Sequence, residues 1–314
     1  MFSLSLSVLP VFLLLVAGAA CQRFRFPMGG FWPGVDKLAY WVLFPSLLFH
    51  KTSQIDFSNP MLPKYAFILL CALFITAIFV FISAWFLKIQ PPIASSMLQA
   101  GVRFNTFIVL ALAGSLYGDE GLVLAALGAS VLIPSVNVFL VVSMVLMHRP
   151  PAKNGVVVTL PRLLSGALVR NPLIVSIVLG SGLNLLGLTP IVLISDVIGM
   201  LSQSALPLVL LAVGASVRLE AIRTVGMTFV LSSVARFVVF PLVIGILCWW
   251  LDVRGLPALV AVLFGMVPTA TSAYALARQL GGDADRMSAY ITIQTLMSVL
   301  TVPVSVWLSQ LYLS

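Results

Sequence analysis

Two stretches of nineteen residues decide how this chain is read: GVRFNTFIVLALAGSLYGD at residues 101–119 and GMVPTATSAYALARQLGGD at residues 265–283. A displacement of 164 pairs Gly101 with Gly265, Ala111 with Ala275, Leu112 with Leu276, Ala113 with Ala277, Leu116 with Leu280, Gly118 with Gly282 and Asp119 with Asp283. Apolar composition alone does not readily place two glycines and an aspartate among seven identities, so the pairing points to an internal repeat. Each stretch is also interrupted at its middle, by Arg103, Asn105 and Thr106 in the first and by Pro268, Thr269, Thr271 and Ser272 in the second. Proline removes a backbone donor and disrupts its helix. Irregular backbone at membrane depth survives only where it lines a cavity or is buried in protein. Both stretches therefore read as broken helices, and two breaks meeting at mid-membrane would turn positive helix ends and free amides toward an anion. The plainer alternative is an ordinary kink at Pro268, with Asn105, Thr106, Thr269 and Thr271 bonding between helices. The repeat favours a functional reading because it puts both interruptions at one depth.

Composition sets the solvent around these stretches. Apolar residues make up 61% of the 314, charged residues 8%, and the mean hydropathy is +1.15, well outside the range of soluble domains. With about 20 residues per crossing, the chain has room for about ten crossings and no soluble domain. Uncharged runs place seven: Met1 to Gln22, Tyr65 to Leu87, Gly121 to Met147, Asn171 to Ser195, Val197 to Val217, Gly255 to Ala277 and Met287 to Ser314. Three more contain or adjoin a charge: Leu38 to Phe49 with its flanks, Pro91 to Gly118, and Thr224 to Leu251. The first run followed by Arg23 could pass for a signal peptide, but no Lys or Arg precedes it, so it is expected to remain as the first span.

Orientation follows from the basic residues. With the N-terminus outside and ten spans, the cytoplasmic side receives Arg23, Arg25, Lys37, Lys88, Arg149, Lys153, Arg162, Arg170, Arg218, Arg223, Arg278 and Arg286, while the outside receives Lys51, Lys64 and Arg254. Arg103 and Arg236 stay within the membrane. Both termini then face outward from the cytoplasmic membrane. The basic segment 149–170 is the natural cytoplasmic linker between a first five-helix unit, 1–148, and a second, 171–314. Five is odd, so homologous halves must be inverted relative to one another. A displacement of 162 adds Pro45 with Pro207 and Gly18 with Gly180, in the same order. The fold class is thus an all-α polytopic membrane protein of ten helices in two inverted repeats.

Several classes drop out. The net charge of +8 is scattered over short connectors, which excludes a nucleic-acid face. Cys21, Cys71 and Cys248 lack metal or redox spacing, and with His50 and His148 the only histidines, neither at mid-membrane, no metal cluster, cofactor site or catalytic constellation is legible. Arg103 suits a bidentate carboxylate clamp or, equally, snorkelling to the interface; Arg236 has the same two readings, and either could instead stabilise helix ends. No Asp or Glu sits clearly at mid-membrane, which disfavours carboxylate-based proton antiport.

Four stretches resemble the auxin efflux carrier family of bacteria and plants: Phe44 to His50 with Pro45, Arg103-Phe104-Asn105-Thr106 through Tyr117-Gly118, Ala205-Leu206-Pro207 through Val217, and Gly265 to Leu280. The resemblance covers essentially the whole chain. It implies that spans four and nine cross at their breaks inside a mobile bundle, that spans one, two, six and seven form a scaffold, and that the protein is a homodimer. Asn105 and Thr106 would hold the first crossover, Pro268 and Thr269 the second, with Gly101, Gly265, Pro45 and Pro207 shaping the helices. Phe104 stands where the plant exporters have proline, and their long cytoplasmic loop is missing. The expected activity is alternating-access transport of a small organic anion, a carboxylate of bacterial metabolism, dicarboxylates and auxin-like acids included. The expected substrate contacts are Arg103, Phe104, Asn105, Thr106, Arg236, Pro268, Thr269, Thr271 and Ser272. A channel or a non-transporting sensor on the same fold is the alternative.

Overall fold

A computed structural model describes residues 2–27, 30–147, 168–188, 192–217 and 226–313, with side chains from Val8 onward. Every regular element among them is helical. In order they are α1 (Phe2–Arg23), α2 (Phe31–Leu38), a π turn (Ala39–Leu43), α3 (Phe44–Thr52), α4 (Met61–Phe86), α5 (Pro91–Val102), α6 (Thr106–Met147), α7 (Pro172–Leu185), α8 (Val192–Ala215), α9 (Met227–Val234), a second π turn (Ala235–Val239), α10 (Phe240–Trp250), α11 (Leu256–Met266), α12 (Ser272–Leu280) and α13 (Ala284–Leu313). Most of the linker at 149–170 lies outside the described residues, as do His148, Arg218 and Arg223.

Five described stretches are long and apolar enough to cross a membrane: Met61–Phe86, Pro91–Met147, Val192–Ala215, Met227–Trp250 and Ala284–Leu313. Shorter apolar helices run over Val8–Arg23, Pro172–Leu185 and Leu256–Met266. Their outward faces carry Leu13, Ile78, Trp85, Leu242 and Trp249, all exposed. So much uncovered apolar surface fits a hydrocarbon surround rather than water. The protein is polytopic and all-helical.

Local chemistry explains the element ends. Both π turns precede a Phe-Pro pair, Phe44-Pro45 and Phe240-Pro241. Proline has no N–H for the carbonyl four residues back, and a wider turn absorbs the defect. The run read as one span from Asn171 to Ser195 ends earlier, because α7 stops at Leu185 and Gly187 follows with φ 65, a left-handed C-terminal cap that favours glycine. Asp196, taken as a boundary, lies inside α8. That connection is itself apolar, so hydropathy passed over it.

Two groups of helices follow from the contacts. The first joins α1, α2, α3, α7 and α8; the second joins α4, α5 and α9 to α13; α6 packs on both. Within the first group the backbones touch. A Cβ at Gly18 would overlap the carbonyl of Leu211, one at Gly214 the carbonyl of Leu15, and one at Gly180 the backbone of Phe49. Small residues permit such close helix crossings, which dispersion then stabilises.

Candidate functional site

The two interruptions are real breaks, and they meet. α5 ends in extended backbone at Arg103 (φ −82, ψ 118) and α11 in extended backbone at Val267 (φ −85, ψ 153). The segments pass one another, and the Asn105 amide donates to the Pro268 carbonyl at 2.9 Å. Breaking a helix frees backbone groups that must find other partners inside a membrane protein. At this crossing side chains supply them. Asn105 Oδ1 accepts from the amides of Phe107 (3.1 Å) and Ile108 (3.3 Å), capping α6. Thr269 Oγ1 lies 2.8 Å from the Ala100 carbonyl and 2.7 Å from Gln294 Oε1, and its one hydrogen serves either acceptor. Gln294 of α13, fully buried, accepts from the Thr269 amide (3.1 Å) and donates to the Ala100 carbonyl (3.3 Å).

Arg236 completes the set from behind. Fully buried in the π turn after α9, it donates from Nε to the Val267 carbonyl at 2.9 Å and from Nη1 to the Val102 carbonyl at 3.3 Å. Its guanidinium thus faces the negative ends of both α5 and α11, where a cation is favoured, and lies 4.7 Å from the centroid of the Phe240 ring.

In front of the crossing lies a cavity of about 750 Å³. Of the residues expected to touch substrate, Arg103, Phe104, Asn105, Thr106, Thr271 and Ser272 line it. Arg236, Pro268 and Thr269 do not; they hold the breaks from behind, because the free carbonyls and amides of the crossing claim them first. Arg103 resolves toward the cavity, with Nη2 donating to Asn137 Oδ1 at 3.2 Å. Phe104 packs edge-on against Phe264 at 5.1 Å between centroids. Gly101 and Gly265 are the penultimate residues of α5 and α11, immediately before the breaks. A Cβ at Gly101 would press on Val80 and Ala235, and one at Gly265 on the Pro241 backbone, so their role is close packing. Pro45 begins α3 after its π turn and Pro207 lies inside α8.

Three buried donors at the crossing have no protein partner among the described residues: Arg103 Nη1 and Asn105 Nδ2, on residues that line the cavity, and Arg236 Nη2 behind it. The first turns of α6 and α12 begin there, at Thr106 and Ser272, so both positive helix ends abut the cavity. The lining also takes in Asn137, the partner of Arg103, with Asp36, Tyr40, Arg170, Asn171 and Gln279, none of them expected from sequence. Asp36, in α2, and Tyr40, in the π turn that follows it, are four residues apart, about one helical turn. Asn137 and Gln294 were detectable only as amide side chains in uncharged spans. Among the described residues no group of three metal-ligating side chains converges.

The sequence profile of a family described as membrane transport protein matches residues 4–306. An uncharacterized transporter of Methanothermobacter thermautotrophicus is 27% identical over 214 residues, covering 67% of this chain and 65% of that protein. The match thus spans just under two thirds of the relative's own length.

Proposed function

The chain belongs to the membrane transport protein family, the auxin efflux carriers whose motifs it carries, and we propose that it moves a small organic anion across the cytoplasmic membrane by alternating access. One observation carries the choice of anion: Arg103 Nη1 and Asn105 Nδ2 are unpartnered donors on residues that line the cavity at the crossing. A buried unpaired donor costs about 1–3 kcal/mol. A carboxylate accepting from both removes that cost through charge-assisted bonds, and the helix ends at Thr106 and Ser272 add to its stabilisation. Phe107, Ile133, Val136 and Leu276 line the same cavity and suit the carbon skeleton.

The fold behind this function is ten crossings in two inverted repeats, 1–148 and 171–314. Pro91–Met147 spans 57 residues and as one helix would measure about 85 Å, nearly three hydrocarbon cores. Its break at residues 103–105 and its turn at Gly118 (φ 62, ψ −151) divide it into two crossings. α5 ends at Val102 and α11 at Met266, again 164 apart. Gly18 meets Leu211 and Gly180 meets Phe49, so both members of the second contact pair with the first at a displacement of 162. Shared offsets in packing, on top of those in sequence, support the repeat. The cavity lining runs from the crossing to Asp36, Arg170 and Gln279, beside residues assigned to the cytoplasm by their charge, and we read that end as the mouth of a conformation open inward.

The test is thermal stabilisation of purified protein in detergent across mono- and dicarboxylates, aromatic acids, and neutral and cationic controls. A ligand that binds the folded state raises the melting temperature. Selected acids are expected to stabilise the protein. Asn105→Asp keeps the cap oxygen for Phe107 and Ile108 but puts an anion where the free amide was, and is expected to abolish that shift. Stabilisation by neutral or cationic compounds alone defeats the anion reading.

A further inference from the structure

Three ion pairs occur among the described residues, and two are local, Arg254 with Asp252 and Arg286 with Asp283. The third joins parts of the chain 68 residues apart: Lys51 Nζ donates to Asp119 Oδ1 at 2.8 Å. Lys51 ends α3, in the helix group of α1, α7 and α8, while Asp119 belongs to α6, which packs on both groups. The pair is lopsided in exposure, with the Lys51 side chain at 7% and that of Asp119 at 84%, so the carboxylate caps an ammonium sunk between helices. Gly118, in a conformation that favours glycine (φ 62), turns the chain so that Asp119 comes back over Lys51. The hydrogen bond from Lys51 and its charge hold the Asp119 carboxyl below its usual range.

Its place is what gives the pair meaning. Asp36, at the cavity mouth, and Lys51 belong to one nearly continuous run of helix, about 22 Å apart along it. Thr106, at the crossing, and Asp119 are separated by about 20 Å of α6. The ion pair therefore lies on the far side of the crossing from the mouth, at the opposite membrane face. We propose that Lys51 and Asp119 form a latch that closes the cavity toward that face and must part for the site to open there. This rests on the alternating-access reading. Without Asp119 the Lys51 ammonium is left buried and unpaired, a cost relieved when the helix groups separate and water reaches it.

The test reads access, not transport. Ala270, half-buried and lining the cavity at the break, is replaced by Cys in a protein whose Cys21, Cys71 and Cys248 are removed. A membrane-impermeant maleimide is applied to right-side-out and inside-out vesicles. The parent is expected to label from the mouth side. Asp119→Asn and Lys51→Met should raise labelling from the opposite face about fivefold, the shift for a pair worth about 1 kcal/mol. The exchange Lys51→Asp with Asp119→Lys should return it to the parent rate, and Asp119→Glu, which keeps the charge, should never raise it. Equal labelling of the parent from both faces, unchanged rates in both single variants, or an exchange or Glu variant as leaky as the single ones overturns the latch. Since no ligand is added, a failure of the carboxylate panel leaves this result independent.

Discussion

Asn105 and Arg236 sit at the same crossing, and the sequence put both in the substrate site, yet their surroundings divide their roles. Asn105 spends its oxygen on the cap of α6 and leaves its side-chain amide nitrogen buried and without a protein partner. Arg236 gives its Nε and Nη1 to carbonyls behind the breaks and does not line the cavity. The two should therefore fail differently. Arg236→Met leaves the Val102 and Val267 carbonyls unpaired and is expected to cost about 2 kcal/mol or more, lowering the melting temperature while the same acids still stabilise the protein. Asn105→Asp should leave the unliganded melting temperature near the parent value, since the cap survives and an anion suits a helix N-terminus, but erase the ligand shift. Detergent melts with and without ligand check both, and the reverse pattern would reassign the two residues. Arg236 was ambiguous in sequence because a lone buried arginine looks the same whether it faces a substrate or a carbonyl.

At the scale of elements, α1 and α8 cross with Gly18 against Leu211 and Gly214 against Leu15, backbone on backbone. Gly214→Val puts side-chain atoms where the Leu15 carbonyl stands. Because the obstacle is backbone and not a flexible side chain, the helices must separate, at a cost of about 1–3 kcal/mol. A lower melting temperature without change in ligand preference is the expected result; an unchanged one would show that the crossing yields freely. Gly18 was visible in sequence through its match to Gly180, while Gly214 stood out only within a motif. The turn between α7 and α8 was missed for a plain reason: its residues are as apolar as the helices it joins.

For the whole molecule, the proposed ten crossings would put both termini on one face and the 149–170 linker on the other. A reporter active only outside the cytoplasm, fused after residue 313, should be active, and the same reporter in the linker should be silent. Opposite signals would reverse the orientation while keeping the even count, and a difference in neither would break the count. With the cavity mouth near Asp36, Arg170 and Gln279, this measurement also decides which compartment the cavity faces.

Composition, period and offset within the chain determined that this is an all-helical membrane protein with two interrupted helices, since hydrophobic runs, prolines and repeated residues act locally and are read one after another. The crossing itself depended on tertiary structure. Gln294 serves Ala100 and Thr269, which lie 194 and 25 residues away, and Lys51 finds Asp119 68 residues on. Such partners are set by which free backbone groups and which buried charges the packed helices bring within hydrogen-bond reach, and no local pattern of residue types encodes that.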